Sequence, residues 1–383
     1  MYSFITEELE RIRASGLKRA MKAVEGPQGP TITVDAMECV LLCSNDYLGL
    51  ANHPAVKEAA KKAIDRWGFG SGASRLVSGN MAPHAELEER IRRFKGTEAA
   101  LLFNSGYQAN IGLISALSDR ATDIFSDRLN HASIVDACRL SLASVKRYPN
   151  RDAGSLERLL KKSTARHKLI VTDGVFSMDG SIAPLKEIAG LLDRYNALLI
   201  VDDAHSTGVL GKTGRGTLEH LGVEHPSIVH MGTLGKALGS FGAFIAGSDS
   251  LIELLISKAR PFIYTTALPP SAAAASIAAI DIIEREPGLR EKLWANVEFF
   301  KQNLPVGINT LGSPTQIIPI VLGDASRTME ASKNLLERGV FIQGIRPPTV
   351  PEKTSRLRVT VTAALEREEL KKALDAIKEE LIR

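Results

Sequence analysis

Short runs of consecutive apolar residues recur along the chain, separated by longer stretches in which apolar residues return every three or four positions. AALLF (99–103), LIVT (169–172) and LLIV (198–201) belong to the first kind. Residues 54–66, 84–95 and 107–117 belong to the second and predict helices. A continuous apolar run between helical patterns suits a parallel strand covered on both faces. From about residue 50 onward the pattern therefore predicts a βα-alternating sheet, with its chemistry gathered at the carboxyl ends of the strands.

The two ends of the chain have a different texture. Ile5, Leu9, Ile12, Leu17 and Met21 recur at helical intervals and predict a helix over 5–24, broken by Gly26-Pro27 and Gly29-Pro30. TITV and CVLLC follow as strand-like segments. Pro269-Pro270 opens an Ala-rich helix that is expected to lead out of the large domain. After residue 304 come QIIPIVL, VFIQGI and LRVTVT, mixed with helical patterns at 326–338 and 366–382. This predicts an N-terminal helix and β segment (1–44), a large α/β domain (45–283) and a smaller α+β domain (284–383). At 383 residues the chain exceeds the roughly 250–300 residues that one core usually accommodates.

Composition narrows the classes. Apolar residues make up 44% and charged residues 24%, ordinary for a globular protein. A net charge of +4 without a long Lys/Arg run gives no footprint for nucleic acid. Three cysteines, Cys39, Cys43 and Cys138, with no CxxC, fit a reducing compartment better than a disulfide framework or a zinc site. The N-terminus lacks the apolar core of a signal peptide, and no 18-residue apolar run occurs, so a cytoplasmic protein is expected.

Three motifs mislead. Gly211-Lys212-Thr213 resembles the end of a P-loop, but Ser206 stands where the earlier Gly is required. GFGSGAS (68–74) lacks the Gly spacing of a dinucleotide fingerprint and follows a helical rather than a strand pattern. Thr233 three residues before Lys236 mimics an acyl-enzyme motif without its companion segments.

A second set of residues forms a coherent group. Asp202 ends the run LLIV, where an acid can be rigidly held and paired with a protonated ring nitrogen. Lys236 lies among Gly232, Gly235 and Gly239, which let another molecule approach closely. Ser105-Gly106-Tyr107 follow AALLF at an expected helix start, a ready site for a phosphate. His131 could stack on an aromatic ring or move a proton. A Schiff-base lysine, a partner for a pyridine nitrogen and a phosphate cup are what pyridoxal 5'-phosphate (PLP) requires.

The sequence resembles the α-oxoamine synthases, which are fold-type-I PLP-dependent transferases. The marks are SNDYLGL (44–50), GSGASRLVSG (70–79), DRLNHAS (127–133), TDGVFSMDG (172–180), VDDAHSTG (201–208) and TLGKALG (233–239), in family order. The resemblance implies a large domain with a mostly parallel sheet, a smaller C-terminal α+β domain, and a homodimer with its sites at the interface. It implies an acyltransferase that condenses an amino acid with an acyl thioester and releases carbon dioxide. IRPPTVP (345–351) and SRLRVTVTAA point to the biotin-pathway branch, which joins L-alanine to pimeloyl-CoA or a pimeloyl carrier protein; Leu365 stands where the family often has His. Branches that use glycine or serine share the core motifs.

By the same resemblance Lys236 carries the Schiff base, Asp202 faces the pyridine nitrogen, His205 the phenolic oxygen, and His131 stacks on the ring. Ser105, Gly106, Tyr107 and Thr233 hold the phosphate, with Thr265 or Thr266 added from the partner subunit. Ser177 lies beside the cofactor. Asn45 and Arg358 hold the substrate carboxylate, a planar group that suits a guanidinium fork. Thr349 contacts substrate, and Lys18 or Arg19 stands where many relatives supply a basic contact from the N-terminal helix.

Overall fold

Seven of the apolar runs line up as one sheet in the computed structural model, which describes residues 2–381. The spatial order is Ala99–Phe103, Ala243–Gly247, Ile228–Thr233, Leu198–Asp202, His167–Asp173, Thr122–Asp127 and Ser144–Tyr148. All neighbours are parallel except Ala243–Gly247, which runs antiparallel to both of its partners. The central strands are apolar on both sides because each side has its own core. Leu169, Val171 and Ile200 face the cluster that includes the helix Gly106–Leu117. Ile170, Leu199 and Val201 face the opposite cluster, with Leu156 and Ile188. Alternate residues thus enter different cores, and the period-two signal disappears into a continuous run.

The C-terminal part has its own antiparallel sheet, Ile317–Gly323, Ser355–Thr360 and Gln343–Ile345. The helices Ala325–Glu337 and Arg367–Leu381 accompany it; Ile382, the last residue of the expected helix, lies outside the described residues. Strands Thr31–Val34 and Met37–Leu41 form a hairpin, and Val340–Phe341 adds to its edge in parallel. N-terminal and C-terminal segments therefore share a sheet that the linear pattern did not suggest.

Two expectations need correction. The N-terminal helix spans Ser3–Ala14, not 5–24. Gly16 takes φ +65° and donates to Arg13 O at 2.9 Å, a left-handed stop that outweighs the continuing apolar period. The helix buries none of its residues, and Met21 is fully exposed. The Ala-rich helix Pro270–Arg285 does not leave the large domain directly. It lies against Pro54–Trp67 and Ala82–Lys95, and Arg90 reaches Asp281 at 2.9 Å and also pairs with Glu284. Small side chains let these helices approach closely. Among the described residues, no helix is long and apolar enough to cross a membrane.

Lys236 sits in residues 234–242, which join Ile228–Thr233 to its antiparallel neighbour Ala243–Gly247. Leu234 N donates to Gly242 O and Ser240 N to Leu234 O, both at 2.9 Å, closing the loop on itself. Gly239 has φ +62°, and a Cβ there would lie 2.2 Å from Ala51 N and 2.4 Å from Leu50 C. The loop and the segment after SNDYL touch backbone to backbone. Gly239→Ala should therefore destabilise the protein by about 2 kcal/mol or more, from the left-handed backbone and the clash together. Denaturant unfolding checks this; an unchanged midpoint would mean the two segments can separate freely.

Candidate active site

The register of the parallel strands sets the first pair of groups. Asp173 and Asp202 end neighbouring strands and are direct partners in the ladder. Both are 3% exposed. The Asp202 carboxylate accepts from Asn110 Nδ2 at 2.8 Å and from Ala204 N at 2.9 Å. Asp173 accepts from His131 N at 2.8 Å. Burial first, and then the charge of Asp202, pushes the Asp173 carboxyl well above the usual carboxylate range.

His131 caps the helix Ala132–Leu140: its Nδ1 accepts from Ser133 N at 3.3 Å and lies 2.8 Å from Ser133 Oγ. Ser133 Oγ accepts from Asn110 at 2.9 Å. With Nδ1 occupied as an acceptor, the imidazole keeps its proton on Nε2. One buried asparagine therefore braces Asp202 directly and, through Ser133, the ring of His131.

A second chain runs from Lys236. Its Nζ lies 2.9 Å from His205 Nε2, and His205 Nδ1 lies 2.6 Å from the Tyr47 hydroxyl. Tyr47 donates to Asn45 Oδ1 at 3.0 Å, and Arg358 Nη2 donates to the same oxygen at 3.3 Å. Arg358 Nε also donates to Ser177 O at 2.6 Å. Burial holds the Lys236 ammonium down at about 8, against the support of Asp202. Burial and then the Lys236 charge hold His205 well below the ordinary histidine range. An amine that is partly neutral near physiological pH is what attack on a carbonyl carbon requires.

The third part is a recess at a helix start. Ser105 caps Gly106–Leu117, its Oγ accepting from Gln108 N at 3.2 Å. A Cβ at Gly106 would meet Met231 Cε and Thr233 Cγ2, both at 2.9 Å. Thr233 Oγ1 is buried without a partner. A glycine-floored recess, free helix N–H groups and an orphaned hydroxyl fit a phosphate, and Lys236 and Asp202 fit the aldehyde and ring nitrogen of PLP.

The fold thus gathers Asn45, Asp202, His205, Lys236, Ser177 and Arg358 with Thr233 and the Ser105–Gly106 turn. Tyr107 is partly apart: its hydroxyl turns to Asp136 at 2.5 Å, leaving only its backbone at the helix start. Thr266 lies beside that turn, accepting from Asn104 Nδ2 at 2.8 Å, and Thr265 precedes it. Lys18 and Arg19 lie beyond the helix end at Ala14, and not on the helix; Lys18 O accepts from Arg346 at 3.2 Å. Thr349 is exposed on a turn, its N–H on Arg346 O at 3.1 Å. Leu365 is fully buried, and its carbonyl accepts from Asn296 at 2.8 Å.

Sequence reasoning missed Tyr47, Asn110 and Asp173. The signal for Asp173 was its place one residue after LIVT, the same position that Asp202 holds after LLIV. The P-loop-like turn is organised otherwise: Glu219 accepts from the N–H groups of Thr213 at 3.1 Å and Arg215 at 3.0 Å, so a carboxylate fills the place a phosphate would take. A cavity of about 630 Å³ lies at the opposite end of the strands, lined by Lys95, Arg215, Glu219 and His230, and holds none of the expected site residues.

Comparison with known proteins follows the same line. The family model for aminotransferase class I and II matches residues 37–377. The chain is 56% identical to an 8-amino-7-oxononanoate synthase of Geobacter metallireducens over 98% of its own length and 97% of that protein's. It is 48% identical to the enzyme of that name from Thermoanaerobacter pseudethanolicus, over 97% and 95% of the two chains. Among solved structures it is similar to a serine palmitoyltransferase from S. paucimobilis with bound PLP–myriocin aldimine, at TM-score 0.93 and 30% identity, covering 99% and 97%. It is also similar to an 8-amino-7-oxononanoate synthase from Francisella tularensis, at TM-score 0.77 and 30% identity, covering 90% and 98%.

The amine of Lys236 should titrate near pH 8, against about 10.4 for an ordinary lysine. Its neutral, reactive form is then present above that pH and lost as pH falls below it. Asp202→Asn should move the midpoint lower still, because the carboxylate supports the ammonium. pH-dependent amine labelling read by mass spectrometry checks both.

Proposed function

The chain belongs to the 8-amino-7-oxononanoate synthases within the aminotransferase class I and II family, and from that premise we propose how its residues carry out the reaction. The reaction joins L-alanine to a pimeloyl thioester and yields 8-amino-7-oxononanoate, carbon dioxide and the free thiol carrier, a step of biotin biosynthesis. The observation that carries this reading is end-to-end identity of about half with enzymes of that name. Fold likeness alone does not choose the branch, since a serine palmitoyltransferase is more similar in architecture, at TM-score 0.93, than the 8-amino-7-oxononanoate synthase structure, at 0.77.

Lys236 would hold PLP through Nζ, Asp202 would face its ring nitrogen, His205 its phenolic oxygen, and His131 would cover the ring. Ser105, the backbone of Gly106 and Tyr107, and Thr233 would hold its phosphate, with Ser177 at its side. Bound PLP supplies an acceptor for the electron pair released at the α-carbon of alanine. Arg358 and Asn45 bind the alanine carboxylate and orient that α-carbon. Lys236, whose ammonium burial holds down at about 8, takes the α-proton in its neutral form and later returns a proton. His131, with its proton on Nε2, donates to the oxygen of the thioester carbonyl as charge develops there. Thr349 and one of Lys18 and Arg19 would contact the substrate.

The active form would be a homodimer in the cytoplasm, with Thr265 or Thr266 reaching the phosphate of the partner subunit. The apolar side chains of Phe69, Val77, Phe241 and Tyr264, more than half exposed, support a second copy as their cover. Sedimentation should give twice the 41.4 kDa chain mass.

A panel of amino acids crossed with acyl thioesters, read by thiol release, tests the reaction. L-Alanine with a pimeloyl thioester should release thiol fastest; a preference for glycine or serine would assign another branch. Lys236→Ala should abolish both turnover and the visible absorbance of bound cofactor. Arg358→Lys should raise the KM for alanine by about tenfold or more while kcat changes less, because the two-point fork is lost.

A further inference from the structure

The hydroxyl of Tyr47 is used by nothing in the reaction above, yet it lies between the two ends of the site. Tyr47 is fully buried and His205 is 6% exposed. Their contact, at 2.6 Å, joins residues 158 positions apart. Both lie deep enough that an unmatched donor would be costly.

We propose that Tyr47 is a positioning residue that fixes the tautomer of His205 and thereby ties the lysine end of the site to its arginine end. The directions of the hydrogen bonds determine which tautomer. A guanidinium only donates, so Asn45 Oδ1 is the acceptor for Arg358. The same oxygen accepts the Tyr47 proton at 3.0 Å. Having given its proton away, the Tyr47 oxygen can only accept from His205, so the imidazole proton is on Nδ1. His205 Nε2 is left with a lone pair, 2.9 Å from Lys236 Nζ, where an ammonium donates. Every donor in the series then has an acceptor. The other tautomer would point Nε2–H at an ammonium and leave His205 Nδ1 and Asn45 Oδ1 competing for the one Tyr47 proton.

The groups around the ring keep it neutral. Lys236 approaches from the hairpin loop, Arg358 from the strand Ser355–Thr360 and His131 from the head of its helix, all cationic or able to become so. Gln316 Nε2 holds the His205 carbonyl at 2.8 Å and fixes the backbone, leaving ring orientation to Tyr47. When the charge on Lys236 is removed, the demand on Nε2 ends and the whole series can reverse, with Tyr47 donating to Nδ1. His205 then presents Nε2–H toward the space in front of Lys236. The state of the lysine is in this way matched by the proton position on its neighbour.

The inference deepens the proposed function and rests on it for the importance of Lys236, but its test does not need turnover. The probe is 15N NMR of the imidazole nitrogens of the full-length chain, with His205 assigned by loss of its signals in His205→Gln. Without added PLP and below pH 8, His205 should be the neutral Nδ1–H form. Adding PLP, or raising the pH, should move it toward Nε2–H. Tyr47→Phe should change the tautomer ratio of the cofactor-free chain by about tenfold, the consequence of one unmatched buried donor. It should also shift the pH midpoint of the bound cofactor's visible absorbance. A wild-type His205 already in the Nε2–H form without PLP would overturn the proposal, and that measurement stands even if the variant fails to fold. A Tyr47→Phe protein with a lower Tm but unchanged imidazole signals and midpoint would overturn it too. If thiol release instead fails with alanine, the reaction reading falls while the tautomer result stands.

Discussion

Two carboxyl groups placed side by side at the ends of parallel strands set the electrostatics of this site. Asp173 and Asp202 are ladder partners in the interior, where two like charges cannot both be sustained. The tension is relieved unequally. Asp202 receives the side-chain amide of Asn110 and a backbone N–H, and lies close enough to support the Lys236 ammonium. Asp173 has the N–H of His131 and is driven toward its neutral form. One negative charge therefore faces the position of the cofactor ring. The lysine lies near enough to feel that charge, yet is buried enough to lose its proton near physiological pH. His131 is held by both members of the pair, through its backbone by Asp173 and through Ser133 and Asn110 by Asp202.

Much of this was legible along the chain because strand ends announce themselves. LLIV followed by Asp202, and AALLF followed by Ser105-Gly106, are local signals: a buried run stops and a polar or flexible residue begins. The structure puts both at the carboxyl edge of the sheet. Tyr47 and Asn110 carried no such signal. Tyr47 reads as one more apolar position in SNDYLGL, and Asn110 as one polar residue in an apolar helix. Their roles come from partners about 90 to 160 residues away, which only the folded sheet brings near. The N-terminal helix failed in the opposite way. Its apolar period continues past Gly16, but Met21 is left fully exposed, and the left-handed glycine ends the helix.

The joining of N-terminal and C-terminal segments in one small sheet was equally hidden. Val340–Phe341 pairs with Met37–Leu41, so the SNDYL segment is held from its amino side by residues three hundred positions later. Thr360 N donates to Leu42 O at 2.8 Å and Ala363 N to Tyr47 O at 2.8 Å, extending the same link. Arg358 and Asn45 meet because their backbones are already tied together. The carboxylate-binding end of the site is thus built where the smaller C-terminal part, through Arg358, meets Asn45 and Ser177. The ring-binding end is built on the large sheet and on the helix starts and loop that follow its strands, with Gln316 reaching the His205 carbonyl from beside the smaller sheet.

The loop that carries Lys236 is the shortest connection in the central sheet. Its neighbours on the sheet are joined through long helical crossovers, whereas the lysine rides a hairpin whose two strands are adjacent in sequence. Pairing of that kind closes a small loop and forms on the microsecond scale, before distant strands must find one another. The reactive amine therefore takes its register from its own hairpin, largely independent of the order in which the rest of the sheet assembles.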